Sequence, residues 1–98
     1  RKAAGRIVNI ASIAAFKVLP GLVTYCISKA AIAMMTKGLA REWARHGIRV
    51  NALAPGYIAT DINRDMLESE VGATLVKRIP SRRFGEPADL DGPLLLLC

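Results

Sequence analysis

Residues 5–12 read GRIVNIAS and residues 48–54 read IRVNALA. Each is a short, nearly continuous apolar run bounded by turn residues, with Gly5 opening the first and Pro55-Gly56 closing the second. That is the pattern of a strand covered on both faces in a parallel sheet. Between the two, after a loop marked by Pro20-Gly21, the segment from about Tyr25 to Arg45 contains no proline and is rich in Ala, Met and Leu. It predicts a long helix, which Gly47 stops, with Arg45 and His46 in the last turn suiting the negative end of the helix dipole. Strand, helix and strand in this order form a right-handed crossover, the repeating unit of an open parallel α/β sheet. Ala31, Met34, Met35, Leu39 and Trp43 recur at three- and four-residue steps and mark the expected inward face.

Further along, Asp61, Asp65, Glu68 and Glu70 alternate with Ile62, Met66, Leu67, Val71 and Leu75, which predicts one or two amphipathic helices within residues 60–79. Pro80 to Glu86 reads as a basic turn, and Pro87 as the first residue of a last helix that Pro93 kinks by crowding the carbonyl of Asp89. The chain closes on four leucines and Cys98, an apolar patch with nothing of its own to cover it. With a buried-type strand starting at Gly5 as well, residues 1–98 read as a fragment, one partial domain of a larger α/β unit.

The composition agrees with that class. Ninety-eight residues, 52% of them apolar and 22% charged, make at most one small domain and exclude a disordered tail. Two cysteines, Cys26 and Cys98, and one histidine, His46, leave neither a disulfide framework nor a Cys/His zinc site, so no metal is expected and the thiols read as reduced, as in a cytoplasmic protein. No apolar run approaches the roughly 18 residues that span a bilayer, so no membrane partner is expected. The net charge of +6 and a pI near 9.9 would suit nucleic acid. The basic residues are scattered from Lys17 to Arg83 with few aromatics between them, however, which reads as a solvated surface or one facing an anionic cofactor.

Tyr25-Cys26-Ile27-Ser28-Lys29 carries the candidate chemistry. Four residues advance a helix by about 6 Å and turn it roughly 40° past a full circle, so a phenol and an ammonium leave from one face. A free tyrosine loses its proton near pH 10, so a phenolate at pH 7 costs about 4 kcal/mol, and a neighbouring cation favours it. A phenol so placed can act as general base and, reprotonated, as general acid. Ser12, thirteen positions before Tyr25, stands at the carboxyl end of the first strand, where open α/β sheets bind ligands. Asn51-Ala52-Leu53-Ala54-Pro55-Gly56, followed by Ile58 and Thr60, places a turn and a second hydroxyl at the carboxyl end of the next strand. The glycines form neither a G-x-G-x-x-G nor a G-x-x-x-x-G-K cradle.

Ser12, the thirteen-residue gap, Tyr25-x-x-x-Lys29, the turn at Pro55-Gly56 with Thr60, and Arg83-Phe84-Gly85-Glu86-Pro87-x-Asp89 together resemble the short-chain dehydrogenase/reductase family. The resemblance implies a doubly wound, parallel-sheet Rossmann-type fold, three-layered αβα when intact, of which this chain is the catalytic, carboxyl-terminal part. It implies an oxidoreductase that uses NAD or NADP to interconvert an alcohol and a carbonyl in a small-molecule substrate, and a homo-oligomer, dimer or tetramer. It makes Tyr25 the proton donor and acceptor and Ser12 the group that orients the substrate oxygen. Lys29 assists Tyr25 and holds the nicotinamide ribose. Pro55, Gly56 and Ile58 meet the carboxamide side of the nicotinamide through backbone groups, and Thr60 contacts the carboxamide or the pyrophosphate. Residues 61–79 become a segment covering the substrate. The family's glycine-rich turn and upstream catalytic asparagine have no counterpart in this sequence, which leaves a second reading: a non-catalytic fragment serving only as an interaction or dimerisation module.

Overall fold

The structure is a computed structural model and describes residues 4–98. In chain order its elements are β1 (Gly5–Ile10), α1 (Val23–Trp43), β2 (Ile48–Leu53), α2 (Arg64–Glu68), α3 (Glu70–Arg78) and α4 (Asp91–Leu97). Short 3-10 turns stand at Ile13–Ala15, Ala44–His46 and Pro87–Leu90. The chain forms two compact units, one reaching to Pro55 and including Gly92–Cys98, the other Gly56–Asp91.

In the first unit β1 and β2 pair in parallel, from Gly5 opposite Ile48 to Ile10 opposite Leu53. The crossover that the sequence predicted is therefore present, with α1 packed against both strands. Pairing continues past the strand ends: the Ala11 N–H donates to the Leu53 carbonyl at 2.7 Å and the Ile13 N–H to the Pro55 carbonyl at 3.0 Å. Ala11, Ala14 and Val50 are buried there. The strands are only half-covered, since β1 holds no fully buried residue and its Arg6 and Ile10 are exposed. Cover on both faces, expected from the apolar runs, is not found among the described residues, because one helix lies against two strands.

The helix begins two residues earlier than predicted and its α-helical part ends at Trp43, with the final turn tightened to 3-10. Gly47 closes it at φ 75°, a left-handed conformation that glycine adopts without steric cost. The inward face also differs from the expected one. Thr36 is buried, Lys29, Ile32, Ala33, Leu39, Ala40 and Trp43 are half-buried, and Ala31, Met34 and Met35 are exposed. At about 100° per residue Met34 lies almost opposite Thr36. A threonine holds the middle of the buried line because its hydroxyl has partners: it donates to the Ile32 carbonyl at 2.8 Å and accepts from Asn9 Nδ2 at 3.0 Å. A count of apolar positions passes over such a residue.

In the second unit the expected amphipathic segment is two helices, α2 and α3, broken at Ser69, whose backbone is extended. Gly72 is buried where α3 comes back on α2; a Cβ there would lie 1.9 Å from the Leu67 carbonyl oxygen, so only glycine fits that approach. The basic turn contains Arg82 at φ 59°, and its guanidinium donates to the Lys77 carbonyl at the end of α3. Gly85 then pairs with Tyr57-Ile58-Ala59: the Ala59 N–H donates to Gly85 and the Gly85 N–H to Tyr57, each at 2.8 Å. The Tyr57 and Phe84 rings meet edge to face, 6.3 Å between centres.

Pro87 opens a helical turn as predicted, but the kinked single helix is replaced by the 3-10 turn and a separate α4. Pro93 falls in the first turn of α4, where a backbone N–H has no intrahelical acceptor to lose. Asp89 ties the turn together, its Oδ2 accepting from the Glu86 N–H at 2.8 Å and from Arg83 at 3.2 Å. The Glu86 N–H and then the Arg83 guanidinium hold the Asp89 carboxyl below its ordinary value of 3.8.

Candidate active site

Lys29 is the centre of the candidate site in the first unit. Its ammonium donates to the Ile10 carbonyl, the last of β1, at 3.1 Å and stands 5.6 Å from the centre of the Tyr25 ring. The four-residue helical spacing thus brings phenol and ammonium together, and it brings both to the carboxyl end of β1. An ammonium has three N–H donors; one is used on Ile10, leaving two. Tyr25 is 44% exposed, and among the described residues its hydroxyl has no hydrogen-bond partner.

Ser12 follows β1 by two residues and caps the 3-10 turn Ile13–Ala15, its Oγ accepting the Ala14 N–H at 3.1 Å. It is 8% exposed. That bond occupies a lone pair and leaves the hydroxyl proton free to be donated. Pro55 stands beside the same turn, its carbonyl engaged by the Ile13 N–H. Ser12, Tyr25, Lys29 and Pro55 therefore all belong to the first unit, at or next to the carboxyl ends of its two strands.

Gly56, Ile58 and Thr60 belong to the second unit, where a residue that the sequence reading did not single out organises the loop. Asn63 Oδ1 accepts both from the Thr60 N–H at 2.8 Å and from the Thr60 hydroxyl at 3.1 Å. Asn63 Nδ2 donates to the Ile58 carbonyl at 2.9 Å. The available signal was an asparagine near the start of the segment 60–79, expected to hold one or two helices, where it ordinarily reads as an N-cap. Asn63 does precede α2, yet its amide turns back to the loop and makes no capping bond.

A family model described as enoyl-(acyl carrier protein) reductase matches residues 1–98, the whole chain. The chain belongs to the short-chain dehydrogenase/reductase family. Among curated members it is 39% identical over 94 residues to gluconate 5-dehydrogenase of Gluconobacter oxydans. It is 44% identical over 93 residues to NAD-dependent glycerol dehydrogenase of Listeria innocua. Each match takes in 95% of this chain and 37% of the relative, so the chain spans little more than a third of these relatives' length. A solved gluconate 5-dehydrogenase from Burkholderia cenocepacia, in complex with NADP and tartrate, superposes with a TM-score of 0.91 at 38% identity, covering 97% of this chain and 38% of that one. The α/β architecture of this short-chain dehydrogenase/reductase chain is accordingly part of a doubly wound Rossmann-type fold. Among the described residues no helix is long and apolar enough to cross a membrane.

Proposed function

We propose that the protein carrying this chain is an NAD(P)-dependent oxidoreductase interconverting an alcohol and a carbonyl in a small substrate, with Tyr25 as general acid and base assisted by Lys29 and Ser12. One observation carries the reading: a single ammonium, Lys29, is anchored by one proton to the end of β1 and stands beside the ring of an accessible phenol whose hydroxyl has no partner among the described residues. The donor set fits the nicotinamide-ribose half of a dinucleotide, since the two remaining Lys29 N–H groups suit vicinal ribose hydroxyls. The relatives named for NAD and bound to NADP support the cofactor class.

In the reducing direction the Tyr25 hydroxyl gives its proton to the substrate oxygen as charge develops there, and in the oxidising direction it takes the alcohol proton. The Lys29 ammonium stands beside the ring that carries this proton in both directions. Ser12 donates its free proton to the same oxygen, and the Ala14 N–H on its lone pair restricts the hydroxyl rotor so that this donor is positioned beforehand. Bound NAD or NADP supplies or accepts the hydride. Pro55 and Gly56 shape the turn, Ile58 and Thr60 present backbone and hydroxyl groups to the nicotinamide side, and residues 61–79 cover the substrate and exclude water.

A cytoplasmic setting and a homo-oligomer, dimer or tetramer, belong to the same reading. Met34 and Met35, exposed on α1, support a subunit face. They are also what favours the second reading, a chain that serves only in association. NADH and NADPH fluorescence, titrated against the full chain and followed by reduction of a small ketone or keto-sugar acid, separates the two. The expected result is enhanced or shifted nicotinamide fluorescence and turnover with one of the two cofactors. No spectral change with either would leave the association module standing.

A further inference from the structure

We propose that Asn9 and Thr36 are positioning residues: their side-chain hydrogen bond sets the register of α1 on β1 and thereby where the Tyr25 hydroxyl stands relative to Ser12. The inference rests on the oxidoreductase reading above and adds to it how the proton donor is placed. Around α1, Tyr25, Lys29 and Thr36 fall within about 40° of one another, and Lys29 and Thr36 are roughly two turns, or about 10 Å of axis, apart. Both reach the same end of β1. Lys29 donates to the Ile10 carbonyl at 3.1 Å, and Thr36 accepts from Asn9 Nδ2 at 3.0 Å. Two bonds set apart along one helix and converging on neighbouring strand residues oppose both sliding and rotation.

Polarity makes the Thr36 bond specific. The hydroxyl has one proton, which goes to the Ile32 carbonyl at 2.8 Å. Only its lone pairs are left for Asn9, so a donor must face it, and the Asn9 amide is held in the one orientation that offers its NH₂. Thr36 is buried, so water does not readily replace a lost partner. A slip of one residue along α1, about 1.5 Å and 100°, breaks this bond. Apolar contacts tolerate smaller shifts, because burial is non-directional.

Tyr25 depends on this tie because its own turn of α1 is weakly held. No side chain caps the helix start at Leu22, and Val23, Tyr25 and Ile27 are exposed. Lys29 can follow a small shift on its flexible four-carbon stem, whereas a phenol with two side-chain torsions cannot. On the strand side Asn9 precedes Ser12 by three residues, and the bond from the Ala11 N–H to the Leu53 carbonyl keeps that short stretch in the sheet. A fault in register therefore falls on the pair Ser12 and Tyr25 and spares the cofactor contact.

The experiment compares Thr36→Val, Thr36→Ser and the double variant Asn9→Leu/Thr36→Val in the full protein. It reads melting temperature, the Kd for NADH or NADPH, whichever the wild type prefers, and kcat on the ketone or keto-sugar acid that the wild type reduces fastest. Thr36→Val should lower the melting temperature and reduce kcat by about 10–100-fold, the cost of misplacing a reacting group by up to about 1 Å, with Kd within about threefold. Thr36→Ser keeps the hydroxyl and should hold kcat within about twofold of the wild type. The double variant removes both polar partners, so its melting temperature should recover while kcat stays low, a split that a merely structural role would not produce. Added to Tyr25→Phe, Thr36→Val should lower the residual turnover no further, because it acts through the hydroxyl already removed.

An unchanged kcat in Thr36→Val, a serine variant no better than the valine one, or a kcat that recovers with stability in the double variant would overturn the inference. So would a further loss on the Tyr25→Phe background, or a Kd that weakens in step with kcat. In each of these the wild type is active and the oxidoreductase reading stands; a wild type without turnover with either cofactor overturns that reading and the inference with it.

Discussion

Tyr25→Phe lowers turnover by about 10²–10⁴-fold, the range that one positioned acid or base contributes, while the affinity for NADH or NADPH stays within about twofold. The substitution removes one oxygen and leaves the ring, so the packing of α1 and the cation over the aromatic face persist. In the folded chain that oxygen has no protein partner among the described residues, so its loss orphans nothing. What it removes is the proton that must reach or leave the substrate oxygen. Steady-state kinetics beside a fluorescence titration check both halves of the expectation. Retained turnover would reject Tyr25 as the acid and base, and lost binding would show that the hydroxyl serves the cofactor instead.

Lys29→Met produces a different signature, because the ammonium has three tasks. It holds the Ile10 carbonyl at 3.1 Å, stands 5.6 Å from the Tyr25 ring centre, and in the proposed function gives its two further protons to ribose hydroxyls. A charge-assisted hydrogen bond contributes about 1.5–3 kcal/mol, so losing even one to the ribose weakens cofactor binding by roughly one to two orders of magnitude, and losing both weakens it further. Turnover at saturating cofactor falls as well, by about 10²-fold or more, since the cation beside the Tyr25 ring is gone. Methionine fills the volume of the stem without its charge. Lys29→Arg keeps the charge but replaces a compact ammonium by a planar fork, and it restores binding only in part. The same titration and kinetics report both variants; a Kd that does not move would detach Lys29 from the cofactor.

The features legible in the sequence were those governed by short-range chemistry. Pro55-Gly56 and Gly47 marked real ends, the apolar runs marked the paired strands, and the four-residue spacing of Tyr25 and Lys29 translated directly into one helix face. The misreadings arose where a polar residue satisfied by a distant partner replaced an apolar one. Thr36 occupies the buried line of α1 because Asn9, twenty-seven residues away, bonds its hydroxyl, and no window along α1 contains that fact. Pro93 was read against a helix starting at Pro87, whereas the chain makes a 3-10 turn over Pro87–Leu90, capped at its start by Glu86 and Asp89, and α4 begins only at Asp91. Asn63 escaped for a related reason. Its role is to bond backward, to Ile58 and Thr60, while helix-start signals are read forward.

The most direct measurement is the structure of the full protein with oxidised cofactor and an alcohol bound. The account predicts that Ser12 Oγ and Tyr25 Oη both stand within hydrogen-bond reach, about 2.5–3.0 Å, of one substrate oxygen, with Lys29 on the ribose hydroxyls. Hydroxyls that address different ligand atoms, or an alcohol bound away from Tyr25, would contradict it.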